Sequence, residues 1–163
     1  MEEIQQWRTA LQGPDVAERA AAAESLCHAG QDAAPAILEL VHACEDDEAV
    51  SEWAVAALEE LGPPPAELLE PLTKLASVSK APVAYWAVTL LGRLGPAAIG
   101  SEHVLAALLQ DSRETAVQER AAWALGEIGA KTAATLTALN GAAQTQSPRL
   151  ARLAKTSLEQ IQK

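Results

Sequence analysis

The sequence predicts an all-α protein built from repeated pairs of antiparallel helices, and three observations predict this fold class. Alanine and leucine dominate, phenylalanine is absent and β-branched residues are sparse, which disfavours strands. Apolar residues recur at helical spacing. A glycine closes a similar segment at residues 30, 62, 95 and 129. Spacings of 32, 33 and 34 residues are typical of stacked helical repeats.

The longer helix of each pair is predicted by five similar segments. ERAAAAESLCHAG (18–30), VSEWAVAALEELG (50–62), VAYWAVTLLGRLG (83–95) and VQERAAWALGEIG (117–129) align without gaps, and LARLAKTSLEQIQ (150–162) is a last copy without the glycine. When Val50, Val83 and Val117 are numbered as offset zero, apolar residues recur at offsets four, seven or eight, and eleven. These offsets form one face of a helix, and the following glycine is expected to end it in the left-handed conformation.

A shorter helix is predicted before each of these segments. The shorter helices lie in IQQWRTAL, APAILELVHAC, AELLEPLTKLA, EHVLAALLQ and TAATLTALN, with loops rich in Asp, Ser, Gly and Pro between helices. The chain is therefore expected to form about five antiparallel helix pairs in a single domain, residues 1–163. The approximate repeats are 1–30, 31–62, 63–95, 96–129 and 130–163.

The helix ends AALEELG, TLLGRLG and ALGEIG carry a resemblance to a known family. With these ends the chain resembles the HEAT-repeat family over nearly its whole length, in the short form also seen in HEAT-like subunits of phycobilin lyases. It departs from the family where Ser51, Ala84 and Gln118 follow the valines instead of arginine. The resemblance implies an α-solenoid, a HEAT-like superhelix whose second helices line a concave surface that most often holds another protein.

The charge and the start of the chain limit the classes of partner. A net charge of −10 argues against nucleic acid and anionic membranes, which bind basic surfaces. Proteins remain, basic ones among them, as do small molecules. The start MEEIQQW has no basic segment followed by an apolar one, so we expect a cytoplasmic protein. The two cysteines, Cys27 and Cys44, are too few for a disulfide framework in a chain of this size, so we expect reduced thiols.

The sequence contains no pattern typical of an enzyme. A phosphate-binding loop, a nucleophile elbow and a Ser/His/Asp spacing are all missing, so we expect neither catalysis nor a cofactor. Cys27, His28, His42 and Cys44 are zinc-binding residue types, but antiparallel helices would separate the two pairs by roughly 10–15 Å. No metal site is expected. The acidic run 45–48 is expected to cap the following helix.

The candidate partner-binding surface is a strip at offsets two, five and nine of the longer helices, each of which is the second helix of its pair. A surface helix usually carries charge at such offsets. The strip and its rim comprise Tyr85, Val88, Trp123, Val55, Ala122, Gly92, Gly126, Glu52, Glu59, Arg93 and Glu119. An exposed apolar patch with a polar rim is typical of an interaction surface, and glycines let a partner approach closely. Two alternatives stay open. In the first, the strip is apolar only because the helices are rich in alanine, and it has no binding role. In the second, the strip is buried in the interface of a homodimer.

The tryptophans are assigned to two groups. Trp53 and Trp86 share offset three, at the edge of the core face, and either pack there or contribute to a site. Trp123, at offset six, is expected to turn outward. The predicted function is an adaptor, scaffold or regulatory subunit that binds a protein partner on the concave face. The alternative, which the family resemblance implies, is a HEAT-like subunit of an enzyme complex such as a bilin lyase.

Overall fold

The structure is a computed structural model that describes residues 2–78 and 80–163. In these ranges the chain forms ten α-helices, three 3-10 helices and no strand. The α-helices are α1 Glu2–Ala10, α2 Val16–His28, α3 Ile37–Ala43, α4 Glu48–Glu60, α5 Leu69–Val78, α6 Ala81–Arg93, α7 Glu102–Asp111, α8 Thr115–Glu127, α9 Ala133–Ala142 and α10 Pro148–Ile161, and the 3-10 helices are Gly30–Ala36, Ala66–Leu68 and Gly95–Ser101. The all-α fold of paired helices is confirmed, and two α-helices fall within each predicted repeat.

Three of the four repeat glycines end their helices as predicted. Gly30, Gly95 and Gly129 have φ values of 55°, 59° and 71°, which only glycine adopts without strain. Gly62 does not, and that expectation is wrong. Helix α4 ends at Glu60, and Leu61 is already extended, with φ −73° and ψ 138°. Three prolines follow Gly62, and an extended chain suits the residues that precede proline.

The chain divides into two compact units, the N-terminal unit (residues 1–64) and the C-terminal unit (residues 65–163). In the N-terminal unit α2 packs along α4, α3 also packs on α4, and α1 packs on α2. Leu26, Leu40, Val41 and Leu58 are fully buried between these helices. Their burial at helical spacing confirms that the apolar face of the repeat is the core face.

Two arginines form ion pairs within the N-terminal unit. Arg8 donates from Nε and Nη2 to Oε1 of Glu39, at 3.1 and 2.7 Å. Arg19 forms a two-point pair with Asp46, Nε to Oδ2 and Nη2 to Oδ1, both at 2.7 Å. This pair lowers the pKa of the Asp46 carboxyl, chiefly through the hydrogen bonds from Arg19.

The acidic run therefore acts differently from the prediction. Helix α4 begins at Glu48 with Asp47 at the N-cap position, but the Asp47 side chain accepts no capping hydrogen bond. Asp46 is held by Arg19 and also accepts from the backbone N–H of Asp47 at 2.7 Å. Asp47 Oδ2 lies 3.4 Å from Nη2 of Arg19, so both aspartates that precede α4 face the guanidinium.

In the C-terminal unit each longer helix packs against several neighbours. Helix α6 packs on α5 and α8, and α8 packs on α6, α7 and α10. The core includes Leu72, Leu91, Leu105, Leu125 and Leu139, all with no exposed surface. Nine of the thirteen residues of α6 are buried, so this helix has only a narrow exposed arc.

Candidate functional site

Two residues at the centre of the predicted strip lie in the core. Val88 of α6 and Ala122 of α8 occupy offset five, and both are 0% exposed. The expectation that they form an exposed apolar patch is wrong. A helix that packs against neighbours on two sides buries a wider arc than the single face that the apolar repeat defines.

The two strip glycines are covered by neighbouring helices. A Cβ on Gly92 would lie 2.8 Å from Cη2 and 3.0 Å from Cε3 of Trp123. A Cβ on Gly126 would lie 2.6 Å from Oγ and 3.1 Å from Cα of Ser157. The expectation that these glycines admit a partner is also wrong, because the next helix of the array already takes the space. Each glycine sets the close approach of two helices.

The half-exposed part of this surface is a group of three aromatic residues and two arginines. We call it the aromatic–arginine cluster: Tyr85, Trp86 and Arg93 of α6, with Arg120 and Trp123 of α8. Tyr85, Arg93, Arg120 and Trp123 are half-buried, whereas Trp86 is 6% exposed. Of the two readings left open for Trp86, the structure therefore supports packing.

Arg120 connects the two helices of the cluster. Its Nε–H donates to the hydroxyl of Tyr85 at 2.7 Å. Its guanidinium carbon lies 4.9 Å from the centre of the Tyr85 ring and 5.7 Å from that of Trp123. Cations within about 6 Å of an aromatic face are attracted to it. Arg120 therefore makes cation–π contacts with both rings and links α8 to α6 through the Tyr85 hydroxyl.

The remaining members extend the cluster along α6. The Tyr85 and Trp86 rings meet edge to face, with centres 5.7 Å apart and planes at 82°. The guanidinium of Arg93 lies 5.7 Å from the Trp86 ring centre. The Trp123 ring rests on Gly92, where no side chain could stand beneath it. These contacts hold the side chains in a defined arrangement before any partner arrives.

Sequence reasoning missed Arg120, although a signal was present. Arg120 stands at offset three, where two other copies carry Trp53 and Trp86. It also precedes Trp123 by three residues, a spacing that places two side chains on one helix face. An arginine at this offset, on the same helix face as a tryptophan, indicates a cation–π contact between the two side chains.

The other predicted site residues lie apart from the cluster or serve structure. In α4, Glu52 and Glu59 are exposed and Val55 is half-buried. Glu119 is 14% exposed at its side chain and pairs with Arg149 at 3.1 Å, so this rim residue ties α8 to α10. Their role in partner binding stays a prediction.

Trp53 is half-buried, and its closest ring neighbour is His28. The two ring centres are 5.6 Å apart, with planes at 57°. Both residues belong to the N-terminal unit, where they join the ends of α2 and the middle of α4. Trp53 therefore packs against His28 within its own unit, and a role in a binding site stays a prediction.

The cysteines are free thiols in protected environments. Cys44 is buried and donates to the carbonyl of Leu40 at 3.3 Å, and burial raises the pKa of its thiol to about 12. Burial, with the nearby Glu60 and Glu24 carboxylates, also raises the pKa of Cys27. A thiol with a raised pKa is a poor nucleophile and metal ligand at neutral pH.

Two kinds of site are not found in the part of the chain that the structure describes. Residues 2–78 and 80–163 contain no group of three or more His, Cys, Asp or Glu residues arranged to hold a metal ion. Among the helices of the same ranges, none combines the length and apolarity that crossing a bilayer requires.

The helix pairs, their period and the stacked second helices define a helical repeat protein. A family model for HEAT repeats matches residues 4–83 and 69–159, so the chain belongs to the HEAT-repeat family. No curated protein matches the chain.

Solved structures of repeat proteins resemble this one in fold. An engineered protein is 22% identical, with a TM-score of 0.64 over 99% of this chain and 80% of that one. The CpcE–CpcF complex of phycocyanin lyase from Nostoc sp. PCC7120 is 19% identical, with a TM-score of 0.69 over 97% and 64%. A designed armadillo repeat protein in complex with the peptide (KR)4 is 21% identical, with a TM-score of 0.66 over 97% and 81%. At these identities the likeness shows the fold alone.

Proposed function

We propose that the protein is a non-catalytic interaction module that binds a protein partner through the aromatic–arginine cluster. The observation that carries the proposal is the contact of the half-buried Arg120 with Tyr85 and Trp123, which are also half-buried, at the surface of α6 and α8. It replaces the strip centred on Val88, which lies in the core. Adaptor, scaffold and regulatory subunit are all consistent with this role.

The residue types of the cluster support binding rather than packing alone. Tyrosine, tryptophan and arginine are the residues that contribute most to protein–protein affinity. Tyr85, Arg120 and Trp123 are half-exposed, and their positions are restricted by their mutual contacts and by the packing of Trp123 on Gly92. A surface that is ordered before binding loses little side-chain entropy when the partner docks.

The experiment is affinity capture from a cell lysate with two charge-matched variants. Arg120→Glu reverses the charge within the cluster, whereas Arg113→Glu makes the same change at an exposed position outside it. We expect one or more proteins to be held by the wild type and by the Arg113 variant and lost by the Arg120 variant. Circular dichroism and melting curves establish that both variants stay folded.

Two outcomes would contradict the proposal. Capture of the same proteins by all three forms would place the binding surface elsewhere, for example around Glu52, Val55 and Glu59. Loss of capture by both variants would mean that overall charge, and not the cluster, controls binding. Sedimentation of the purified protein at several concentrations tests the homodimer that the sequence left open.

The bilin-lyase alternative stays a prediction. The phycocyanin lyase complex shares the fold with this chain, but 19% identity supports no transfer of activity. Absorbance spectra of the purified protein mixed with a bilin test it directly. A shift of the bilin absorption bands would favour a pigment-binding subunit, and unchanged spectra would favour the interaction module.

A further inference from the structure

We infer that the aromatic–arginine cluster recognises its partner through a carboxylate, which the terminal amino groups of Arg120 bind beside an apolar side chain on Trp123. The inference rests on the proposed function and names the chemistry of the segment that docks: an acidic residue next to an apolar one. It differs from the basic partner that the net charge of the whole chain suggests.

The hydrogen-bond inventory of Arg120 is the first step. A guanidinium has five N–H donors, and among the described residues only the Nε–H of Arg120 has a partner, the Tyr85 hydroxyl. No carboxylate of the described residues lies within ion-pair distance of it. The half-buried Arg8 and Arg19 both have such carboxylates. Arg120 is thus a partly desolvated cation with donors left over.

The orientation of the guanidinium is the second step. Its carbon lies 4.9 Å from the Tyr85 ring centre and 5.7 Å from the Trp123 ring centre, and its Nε–H is bonded to the Tyr85 hydroxyl. The terminal amino groups of a guanidinium carry their donors in its plane, in a fork that matches the two oxygens of a carboxylate. The Nε bond and the two ring contacts restrict the guanidinium before the ligand binds.

The local charge is the third step. The C-terminal unit has 8 acidic and 10 basic residues, a net charge of +2, although the whole chain is at −10. Glu119, the carboxylate next in sequence, is engaged by Arg149. The unit that carries Arg120 thus has a small positive net charge, which favours an incoming anion, whereas the N-terminal unit is acidic.

A carboxylate fits this site better than a phosphate. Phosphopeptide sites gather several arginines around the dianion, as its higher charge requires. The terminal amino groups of Arg120 offer one planar pair of donors, and the Trp123 ring, 5.7 Å away, offers an apolar surface. One negative charge next to one apolar side chain is the complementary ligand.

The test uses three capped five-residue peptides with leucine on both sides of a central residue, which is glutamate, glutamine or phosphoserine. Binding is followed by NMR at the Nε–H of Arg120 and the indole N–H of Trp123 in the full chain. We expect the glutamate peptide to shift both signals saturably and the glutamine peptide to bind at least about tenfold more weakly, since a charge-assisted bond is lost.

Variants connect the shifts to Arg120. Arg120→Gln should abolish the preference for glutamate over glutamine, and Arg120→Lys should retain part of it, because lysine keeps the charge without the fork. Arg113→Gln makes the same charge change as Arg120→Gln at an exposed site and should leave the preference intact. Melting curves exclude unfolding as the cause.

Four results would overturn the inference. Equal binding of the glutamate and glutamine peptides would show an apolar docking surface, which leaves the proposed function standing. Tighter binding of the phosphoserine peptide would identify phosphate as the ligand. A preference that survives Arg120→Gln would place the carboxylate elsewhere. If no peptide shifts either signal, the cluster is not a carboxylate receptor, and capture with Arg120→Glu decides separately whether it is an interaction surface.

Discussion

The two units of the chain use the same repeat for different surface chemistry. The N-terminal unit has 14 acidic and 2 basic residues, a net charge of −12, whereas the C-terminal unit stands at +2. The arginines of the N-terminal unit pair with carboxylates: Arg8 with Glu39 on α3, and Arg19 with Asp46 between α3 and α4. In the C-terminal unit Arg120 instead makes cation–π contacts with two aromatic rings.

The longer helices of the two units also differ in the residues that they carry beside the core face. At offset nine, α6 and α8 carry Gly92 and Gly126, which lie against Trp123 and Ser157, whereas α4 carries the exposed Glu59. The core offsets are equivalent in both units, and the positions beside them determine what each surface can bind. The expectation of a basic partner therefore applies to the N-terminal unit, and the inferred carboxylate applies to the C-terminal one.

The largest contrast is predicted at offset five. Val88→Glu places a carboxylate at a fully buried position, whereas Val55→Glu makes the same change at a half-buried one. We expect Val88→Glu to lower the free energy of unfolding by more than about 3 kcal/mol and Val55→Glu by about 1 kcal/mol. Urea unfolding followed by circular dichroism measures both. Equal effects would contradict the burial of α6.

A smaller contrast is predicted between Gly92, on which the Trp123 ring packs, and Gly141, which has open space beside it. Gly92→Ala pushes a methyl group into the Trp123 ring, and the strain should exceed the gain in helix propensity, for a net loss of about 1–2 kcal/mol. Gly141 in α9 has nothing within 4 Å of its Cβ position, so Gly141→Ala should stabilise by about 0.5–1 kcal/mol. Thermal melts with tryptophan fluorescence report both changes. If Gly92→Ala were more stable than the wild type, the Trp123 ring would have to move aside at little cost in free energy.

The ion pair of the N-terminal unit predicts a pH dependence. Arg19 lowers the folded-state pKa of Asp46 below its ordinary value of 3.8. The stabilisation is fully present above the unfolded-state value and is lost as the pH falls through the folded-state pKa. Asp46→Asn should therefore melt below the wild type at pH 7, and the two curves should converge in acid.

The control for this pH series is Asp111→Asn, at an exposed position of the C-terminal unit. It should track the wild type at every pH, because a surface carboxylate without a partner contributes little to stability. A difference between Asp46→Asn and wild type that persists unchanged into acid would mean that the Asp46 effect does not arise from its charge.

The smallest predicted effect is the loss of folding stability when Arg120 is replaced. Arg120→Gln removes two cation–π contacts and one hydrogen bond at a half-buried site, and we expect a loss of about 0.5–1 kcal/mol. Trp123 emission should also change, because its cation neighbour is gone. Arg113→Gln should stay within about 0.5 kcal/mol of the wild type. A loss much above 2 kcal/mol would indicate that Arg120 serves mainly the fold.

The sequence alone determined the period, the helix pairs and the core offsets of this protein. Valine, alanine and leucine recur at offsets zero, four and seven or eight, and helical geometry places them on one face whatever the neighbours are. Gly30, Gly95 and Gly129 mark helix ends because a positive φ is a local property of the backbone. Such features require no knowledge of contacts distant in sequence.

Only the tertiary structure decided which of the remaining positions are surface. Val88 and Ala122 are buried because adjacent second helices pack side by side, and a helical wheel does not contain that neighbour. The bond between Arg120 and Tyr85 joins residues 35 apart, so neither residue type nor local spacing specifies it. Val88 and Ala122 of the predicted strip lie in the core, and Arg120, which the offsets did not single out, belongs to the candidate site.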